Sequence, residues 1–325
     1  MSTTLIDLVY PCHKKDTETL KIAIHYAKLN IKNLRNIYVI SKTKLTDNAI
    51  WIREDIFPFT YQDMIDKIGN HFRTGWYYAG WLHLYAAVTI PDILENVLIC
   101  DADTNFIRPV SFVENDISLF NVSPSDGTPL YFEHMKTLVT ELIPHIPSPW
   151  PARGHHILKN KNILQHMFQT VEMIHKKPFW EAWIDVTLER YTSCPIKYEN
   201  SQNKHKVGPG RATSYELYFN YALKYFPEKV KIRKLRSILA YKGFLNVKHR
   251  PYIDHNSPSR TNINPRKICI VPNHIEKNTI FNTFNECIHF HIQECIKKNF
   301  DTVTFQNHTR EGSGSITGNG HGDKR

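Results

Sequence analysis

Val97-Leu98-Ile99-Cys100-Asp101-Ala102-Asp103-Thr104-Asn105-Phe106 closes the first third of a 325-residue chain, and its reading decides the fold. Four apolar residues of β character run straight into two carboxylates one residue apart. The run predicts a central strand buried on both faces. Asp101 and Asp103 then fall where that strand opens into a loop, at the carboxyl edge of a sheet, the edge at which open α/β sheets bind ligands. Two carboxylates there form a hard-oxygen site suited to Mg²⁺ or Mn²⁺, with positions left for phosphate oxygens. An isolated Asp-x-Asp fits a solvated pair in a turn better than a site. Here the apolar run before it and Phe106-Ile107-Arg108-Pro109-Val110 after it favour the site.

Outward from this strand the first half alternates strands and helices. Leu5–Tyr10 reads as a strand, and a helix capped by Asp16 or Thr17 carries Leu20, Ile24, Ala27 and Ile31 on one face. Asn36–Ser41 is the next strand, Tyr61–Ile68 a helix, and Arg73 to Val88 a longer helix, apolar nearly all round. Ile117–Val122 is a further strand. This alternation implies a parallel sheet with right-handed crossovers. The second half is mostly helical from Asn162 to Tyr191 with a break at Pro178. A polar loop follows over Glu199 to Gly210, then a helix over Ser214 to Phe226 and a basic strand over Val230–Leu235. Lys267–Val271 reads as a late strand and Glu276 to Lys298 as a late helix. The tail, 309–325, is Gly/Ser-rich and expected to be disordered.

With 41% hydrophobic and 12% aromatic residues the chain is globular in composition. Met1 to Tyr10 lacks the basic-then-apolar pattern of a signal peptide, and no window approaches the ~20 apolar residues of a membrane span. Six cysteines without a CxxC pair fit reduced core residues, so the expected location is cytoplasmic, or the host cytoplasm if the chain is viral. The net charge of +10 is uneven: 1–130 carries −3 and 131–325 carries +13. Lys229 to Arg250 holds eight basic residues and no acidic one. That run is either a solvated face or a field that draws a polyanion.

The chain resembles GT-A glycosyltransferases, and within them a GT-A-like family of bacteria and large viruses that carries a DxD motif. The resembling residues are Tyr10 to Asp16, Ile37 to Ser41, Arg73-Thr74-Gly75-Trp76-Tyr77, Asp101-Ala102-Asp103-Thr104 with Arg108-Pro109-Val110, His155-His156, and Ser214 to Tyr218. They run in order over roughly residues 5 to 250. The resemblance implies a Rossmann-like mixed sheet flanked by helices, with helical C-terminal additions. One catalytic domain would span 1–308, its donor-binding half about 1–125 and its acceptor side about 126–308. It implies transfer of a sugar from a UDP- or GDP-sugar, held through Mn²⁺ or Mg²⁺, to a glycan, protein or lipid acceptor. After Trp76-Tyr77, members carry Gln-Gln and then Lys; here Ala79, Gly80 and His83 stand, which implies another donor preference if those positions touch the donor.

The same resemblance makes Asp103 the direct metal ligand and Asp101 a ligand or a contact to ribose and metal-bound water, with His249 and His255 as candidates for a further ligand. His13, Lys15 and Asp16 follow the first strand at the edge where a nucleotide docks, although Asp16 fits simple helix capping too. Ser41, Arg73 and Trp76 complete the donor candidates; Arg73 also fits a solvated helix start, and Trp76 core packing. His155 and His156 read as an acceptor-side pair or as ordinary loop histidines. Glu216 is a candidate general base or the far half of a capping box with Thr213. A rival reading from the basic half is a nucleic-acid or anionic-surface binding protein on a degenerate transferase scaffold, which a steep salt dependence would reveal.

Overall fold

Every second residue of the decisive run faces the same way, and both directions lead into apolar packing. Val97 and Ile99 join one buried cluster, Leu98 and Cys100 another. A strand so placed must lie inside a sheet covered on both faces. The computed structural model describes residues 4–70, 74–122, 129–144, 155–193, 212–233, 235–241, 253–254 and 284–306. In chain order the elements are β1 (Ile6–Pro11), α1 (Thr17–Asn30), β2 (Leu34–Ser41), β3 (Ile50–Arg53), α2 (Tyr61–Ile68), α3 (Thr74–Thr89), β4 (Asn96–Cys100) and β5 (Thr104–Phe106). There follow β6 (Val113–Glu114), β7 (Ile117–Asn121), α4 (Pro129–Leu138), β8 (His156–Asn160), α5 (Lys161–His175) and α6 (Phe179–Ser193). The remainder is α7 (Ser214–Tyr225), β9 (Val230–Arg233), β10 (Ser237–Tyr241), β11 (Ile253–Asp254), α8 (Phe284–Lys297) and β12 (Thr302–Gln306).

The main sheet has the order β3-β2-β1-β4-β8. Its first four strands are parallel, and β8 runs antiparallel to β4. Leu20, Ala23, Ile24 and Ala27 of α1 cover one face, while α3, α5, α6 and α7 bury their apolar sides on the other. The class is therefore a mixed α/β sheet flanked by helices, as expected. Two small sheets are added: β6-β7-β9, and β11-β10-β12-β5. The strand expected over Ile117–Val122 exists but belongs to the first of these, paired in parallel with β9.

Local sequence explains most element ends. Thr60 and Asp63 close α2 with a reciprocal capping box, Thr60 Oγ1 accepting from Asp63 N–H at 3.1 Å and Asp63 Oδ2 from Thr60 N–H at 2.6 Å. Asn160 caps α5 through Asn162 N–H, and Lys176 ends it in the left-handed region. One correction concerns His155-His156, expected on a loop: His156 opens β8, with His155 just before it. Only Ile157 and Leu158 are apolar there, and nearby prolines hide so short a strand. The loop over 199–210, the strand over 267–271, most of the basic run beyond Tyr241 and the tail lie outside the described residues.

Asp7 is the least expected element of the core. It is a fully buried carboxylate in mid-strand β1. It accepts from Arg35 Nε at 3.0 Å, Arg35 Nη2 at 2.5 Å, Asn36 N–H at 3.1 Å and Leu94 N–H at 2.8 Å. One side chain thus ties the starts of β1 and β2 to the turn leading into β4. Removing it leaves two backbone N–H groups without their acceptor and costs the part-exposed Arg35, which keeps Asp92 O, its carboxylate partner. Asp7→Ala should therefore cost about 1–3 kcal/mol of stability, the penalty for leaving buried hydrogen-bonding groups unsatisfied. Urea unfolding measures this, and a loss below about 1 kcal/mol would show that water replaces the carboxylate.

Candidate functional site

The strand order reverses between β1 and β4: the chain steps outward from β1 to β2 and β3, then returns to the other side of β1. A crevice opens at the carboxyl ends of the strands at such a switch point. It holds a cavity of about 230 Å³ lined by Pro11 at the end of β1, Asp16 beyond it, and Asp101, Ala102 and Asp103 after β4. Trp76, Ala79, Gly80 and His83 of α3, Trp183 of α6, and Ala212 to Tyr215 at the start of α7 form the rest. Three carboxylates line it. Among the described residues no lysine or arginine does.

Asp101 is the most heavily held side chain of the crevice. Its Oδ1 accepts from the Tyr215 hydroxyl at 2.7 Å, and its Oδ2 lies 2.8 Å from His155 Nδ1. The backbone adds Asp101 N–H to His155 O at 2.9 Å, an extension of the β4–β8 ladder past Cys100↔His156. His155 takes φ +58°, a left-handed conformation uncommon outside glycine, as it turns into the strand. Burial works to raise the Asp101 pKa, but the His155 hydrogen bond and charge, with His83 and Tyr215, outweigh it and hold the carboxyl at about 2. Both oxygens are committed to protein partners. The Asp101–Thr104 turn closes on Thr104 N–H to Asp101 O at 3.0 Å. From outside, Phe305 N–H reaches Asp103 O at 2.9 Å, and the Thr104 and Thr304 hydroxyls meet at 2.9 Å.

Behind Asp101 lies a buried polar layer, of which sequence reading marks His83, with Ala79 and Gly80 of the cavity lining, but not Lys159. His83 Nδ1 is 3.3 Å from Ser214 Oγ, while its Nε2 stands 3.7 Å from Asp101 Oδ1, too far for a hydrogen bond. Burial pushes His83 down to about 4, so it is neutral at pH 7. Lys159 of β8 is wholly buried and donates to His83 O at 2.9 Å. Burial lowers its pKa well below the ordinary lysine value. Nothing in the local sequence Ile157-Leu158-Lys159-Asn160 signals an inward lysine except the period-two alternation of the strand itself.

The other candidates divide. Asp16, Trp76, Asp101 and Asp103 line the cavity, and His155 stands directly behind it. Asp16 is the N-cap of α1 but makes no side-chain capping bond there. His13 and Lys15 share its turn, His13 Nδ1 accepting from Lys15 N–H at 3.3 Å, without lining the cavity. Ser41 is buried and donates to Thr43 O at 2.8 Å. His156 is wedged against Phe106 and Phe112, its Nε2 2.8 Å from Asn121 Nδ2, away from the crevice. Glu216 is buried in α7, its Oε2 3.4 Å from Asn220 Nδ2, and does not line the cavity. Thr213 Oγ1 accepts from Tyr215 N–H at 3.3 Å, one residue short of the bond a capping box with Glu216 requires. Arg73, His249 and His255 lie outside the described residues.

No protein-family model matches the chain, and no curated protein matches it. Among solved structures, mouse xyloside xylosyltransferase 1 in its apo form is similar over 72% of this chain and 87% of its own, at 10% identity and a TM-score of 0.39. An active-site mutant of LgtC is similar over 97% of this chain and 92% of its own, at 11% identity and the same TM-score. Likenesses of this degree do not bear on what the chain does.

A carboxyl held below its ordinary pKa stabilises the fold above about pH 4, and that contribution is lost as pH falls through about 2. The stability difference between wild type and Asp101→Asn, read from urea unfolding, should therefore shrink between about pH 5 and pH 2.5. A difference that stays constant over that window would mean that Tyr215 and His155 do not favour the ionised form.

Proposed function

We propose that the chain is a metal-dependent GT-A glycosyltransferase that moves a sugar from a UDP- or GDP-sugar to a glycan, protein or lipid acceptor, with residues 1–308 as one catalytic domain. The observation that carries this reading is the Asp101-Ala102-Asp103 turn at the β1/β4 switch point, inside a cavity with three carboxylates and no basic side chain among the described residues. A diphosphate entering such a cavity meets the like charge of Asp16, Asp101 and Asp103 unless a cation enters with it.

The donor set suits Mg²⁺ or Mn²⁺. Both take carboxylate oxygens, and Mg²⁺ in particular is held by one or two carboxylates plus substrate phosphates rather than by an all-protein cage. Among the described residues no three His, Cys, Asp or Glu side chains converge on one metal position. Asp103 is the proposed direct ligand, as the resemblance to GT-A glycosyltransferases implies, with Asp101 held beside it by Tyr215 and His155. When bound, the cation would neutralise charge building on the departing diphosphate. The chain's own part is to hold Asp101 ionised and fixed, and to offer the start of α7 and the wall of α3 as rigid sides. Glu216 lies away from the cavity, so the proposal does not route the acceptor proton through it.

Titration calorimetry with UDP and GDP, with and without Mn²⁺, tests the reading. The wild type should bind one of them only with the cation, and slowly hydrolyse the matching nucleotide sugar. Asp103→Ala should lose both properties while melting within a few degrees of wild type. Nucleotide binding by that variant at wild-type affinity would remove the metal assignment.

A further inference from the structure

One face of α3 lines the crevice, through Trp76, Ala79, Gly80 and His83 at i, i+3, i+4 and i+7. His83 spans from that face to two other walls. Its Nδ1 lies 3.3 Å from Ser214 Oγ at the start of α7, and its Nε2 stands 3.7 Å from Asp101 Oδ1 after β4. Nε2 has no hydrogen-bond partner among the described residues, yet it is not one of the unpartnered polar atoms sealed from solvent. The side chain is 10% exposed, that of Asp101 30%, and both line the cavity. The Ser214 contact fixes the tautomer. Ser214 is buried, and His83 Nδ1 is the acceptor its hydroxyl proton finds among the described residues. With Nδ1 accepting that proton, the ring hydrogen of the neutral imidazole sits on Nε2. The opposite tautomer would leave the serine proton unpaired and turn the Nε2 lone pair toward the Asp101 carboxylate.

Nε2–H and Asp101 Oδ1 thus set a donor and an acceptor on either side of one gap. Their 3.7 Å separation is too long for a mutual bond but lets a single oxygen sit about 2.8 Å from both. Oδ1 already accepts from Tyr215, and a carboxylate oxygen has a second lone pair for another donor. A hydroxyl satisfies both sides, accepting from Nε2–H and donating to Oδ1. An ionised phosphate or carboxylate, or a ring oxygen, has no proton for Asp101, and an ammonium has no lone pair for His83. In a nucleotide sugar the hydroxyls lie on the ribose and on the transferred sugar. We propose that His83 and Asp101 together read one hydroxyl of the sugar nucleotide, on its ribose or on its donor sugar, and that His83 is a specificity-determining residue. This inference rests on the transferase reading above. It adds the functional group that the crevice selects and the residue that selects it.

Calorimetric titrations of the full chain in Mn²⁺ test this with UDP, GDP, UDP-glucose, UDP-xylose, UDP-N-acetylglucosamine and GDP-mannose, the tightest of them serving as probe. His83→Asn keeps an amide near the Nδ1 position for Ser214 and removes the donor at Nε2. It should melt within a few degrees of wild type and bind the probe about tenfold more weakly. His83→Gln carries its amide N–H to the Nε2 position and should recover most of that loss. The 2′- and 3′-deoxy forms of the bare nucleotide then locate the hydroxyl. If it is on the ribose, one of them binds the wild type about tenfold more weakly than the parent nucleotide, and His83→Asn no longer tells the two apart. If it is on the donor sugar, His83→Asn weakens the sugar nucleotide and leaves the bare nucleotide unchanged. Wild-type affinity of His83→Asn for both sugar nucleotide and nucleotide overturns the inference, water then filling the gap, and leaves the transferase reading standing. So do equal losses in the Asn and Gln variants, which would make His83 a packing residue, and so does a weakened bare nucleotide whose deoxy forms bind as well as the parent. If neither variant folds, the wild type decides: deoxy forms that lose nothing, with no sugar adding affinity, overturn the inference. A wild type that binds none of these ligands with Mn²⁺ overturns both.

Discussion

The strand Asn96–Cys100 is apolar in both directions, and the architecture depends on that constraint. With Val97 and Ile99 packed on one side and Leu98 and Cys100 on the other, it must lie between two strands and two layers of helices. A slip of one residue would exchange its faces and bring Asp101 into the sheet, where a carboxylate has few partners. The register is thereby fixed, and with it the point at which the first polar residue leaves the sheet. The antiparallel neighbour turns this position into chemistry. Because β8 begins where β4 ends, the Cys100↔His156 pair places His155 opposite Asp101.

Charge in the crevice is arranged with an economy of partners. Asp101 is held by Tyr215 and His155, while burial behind it keeps His83 neutral at pH 7 and lowers the Lys159 pKa well below its ordinary value. Tyr215 illustrates the division along α7: its hydroxyl goes to Asp101, while the following Glu216 turns into the core.

Much of this was legible in the sequence where one residue type admits one environment. The central strand, α1, α2, α3 and the helix from Ser214 follow from apolar periodicity and caps. The Asp101/Asp103 turn follows from polarity rising abruptly after a buried run. What escaped reading depends on pairing rather than on composition. Ile50–Arg53 is a half-exposed edge strand, and His156–Asn160 has only two apolar residues, so neither has a pattern of its own. Asp7 and Lys159 are charged residues at inward strand positions, whose partners come from segments 28 and 76 residues away. Tyr215 stood beside a glutamate of more obvious chemistry; its link to Asp101 spans 114 residues and has no local signal.

The contact between the Asp103 turn and β12 also sets an order in time. The last strand of the main sheet is β8, so it has all its strands, though not yet the helices that cover one face, once about half of these residues have been made. The turn that carries both acidic residues is different: β5 has β12 as its sheet neighbour, and Asp103 O waits for Phe305 N–H. During synthesis the crevice therefore exists as a scaffold before its acidic loop is clamped, and the loop takes its final shape only when residues 302–306 emerge. A nascent chain would be folded well before it is competent to hold a ligand.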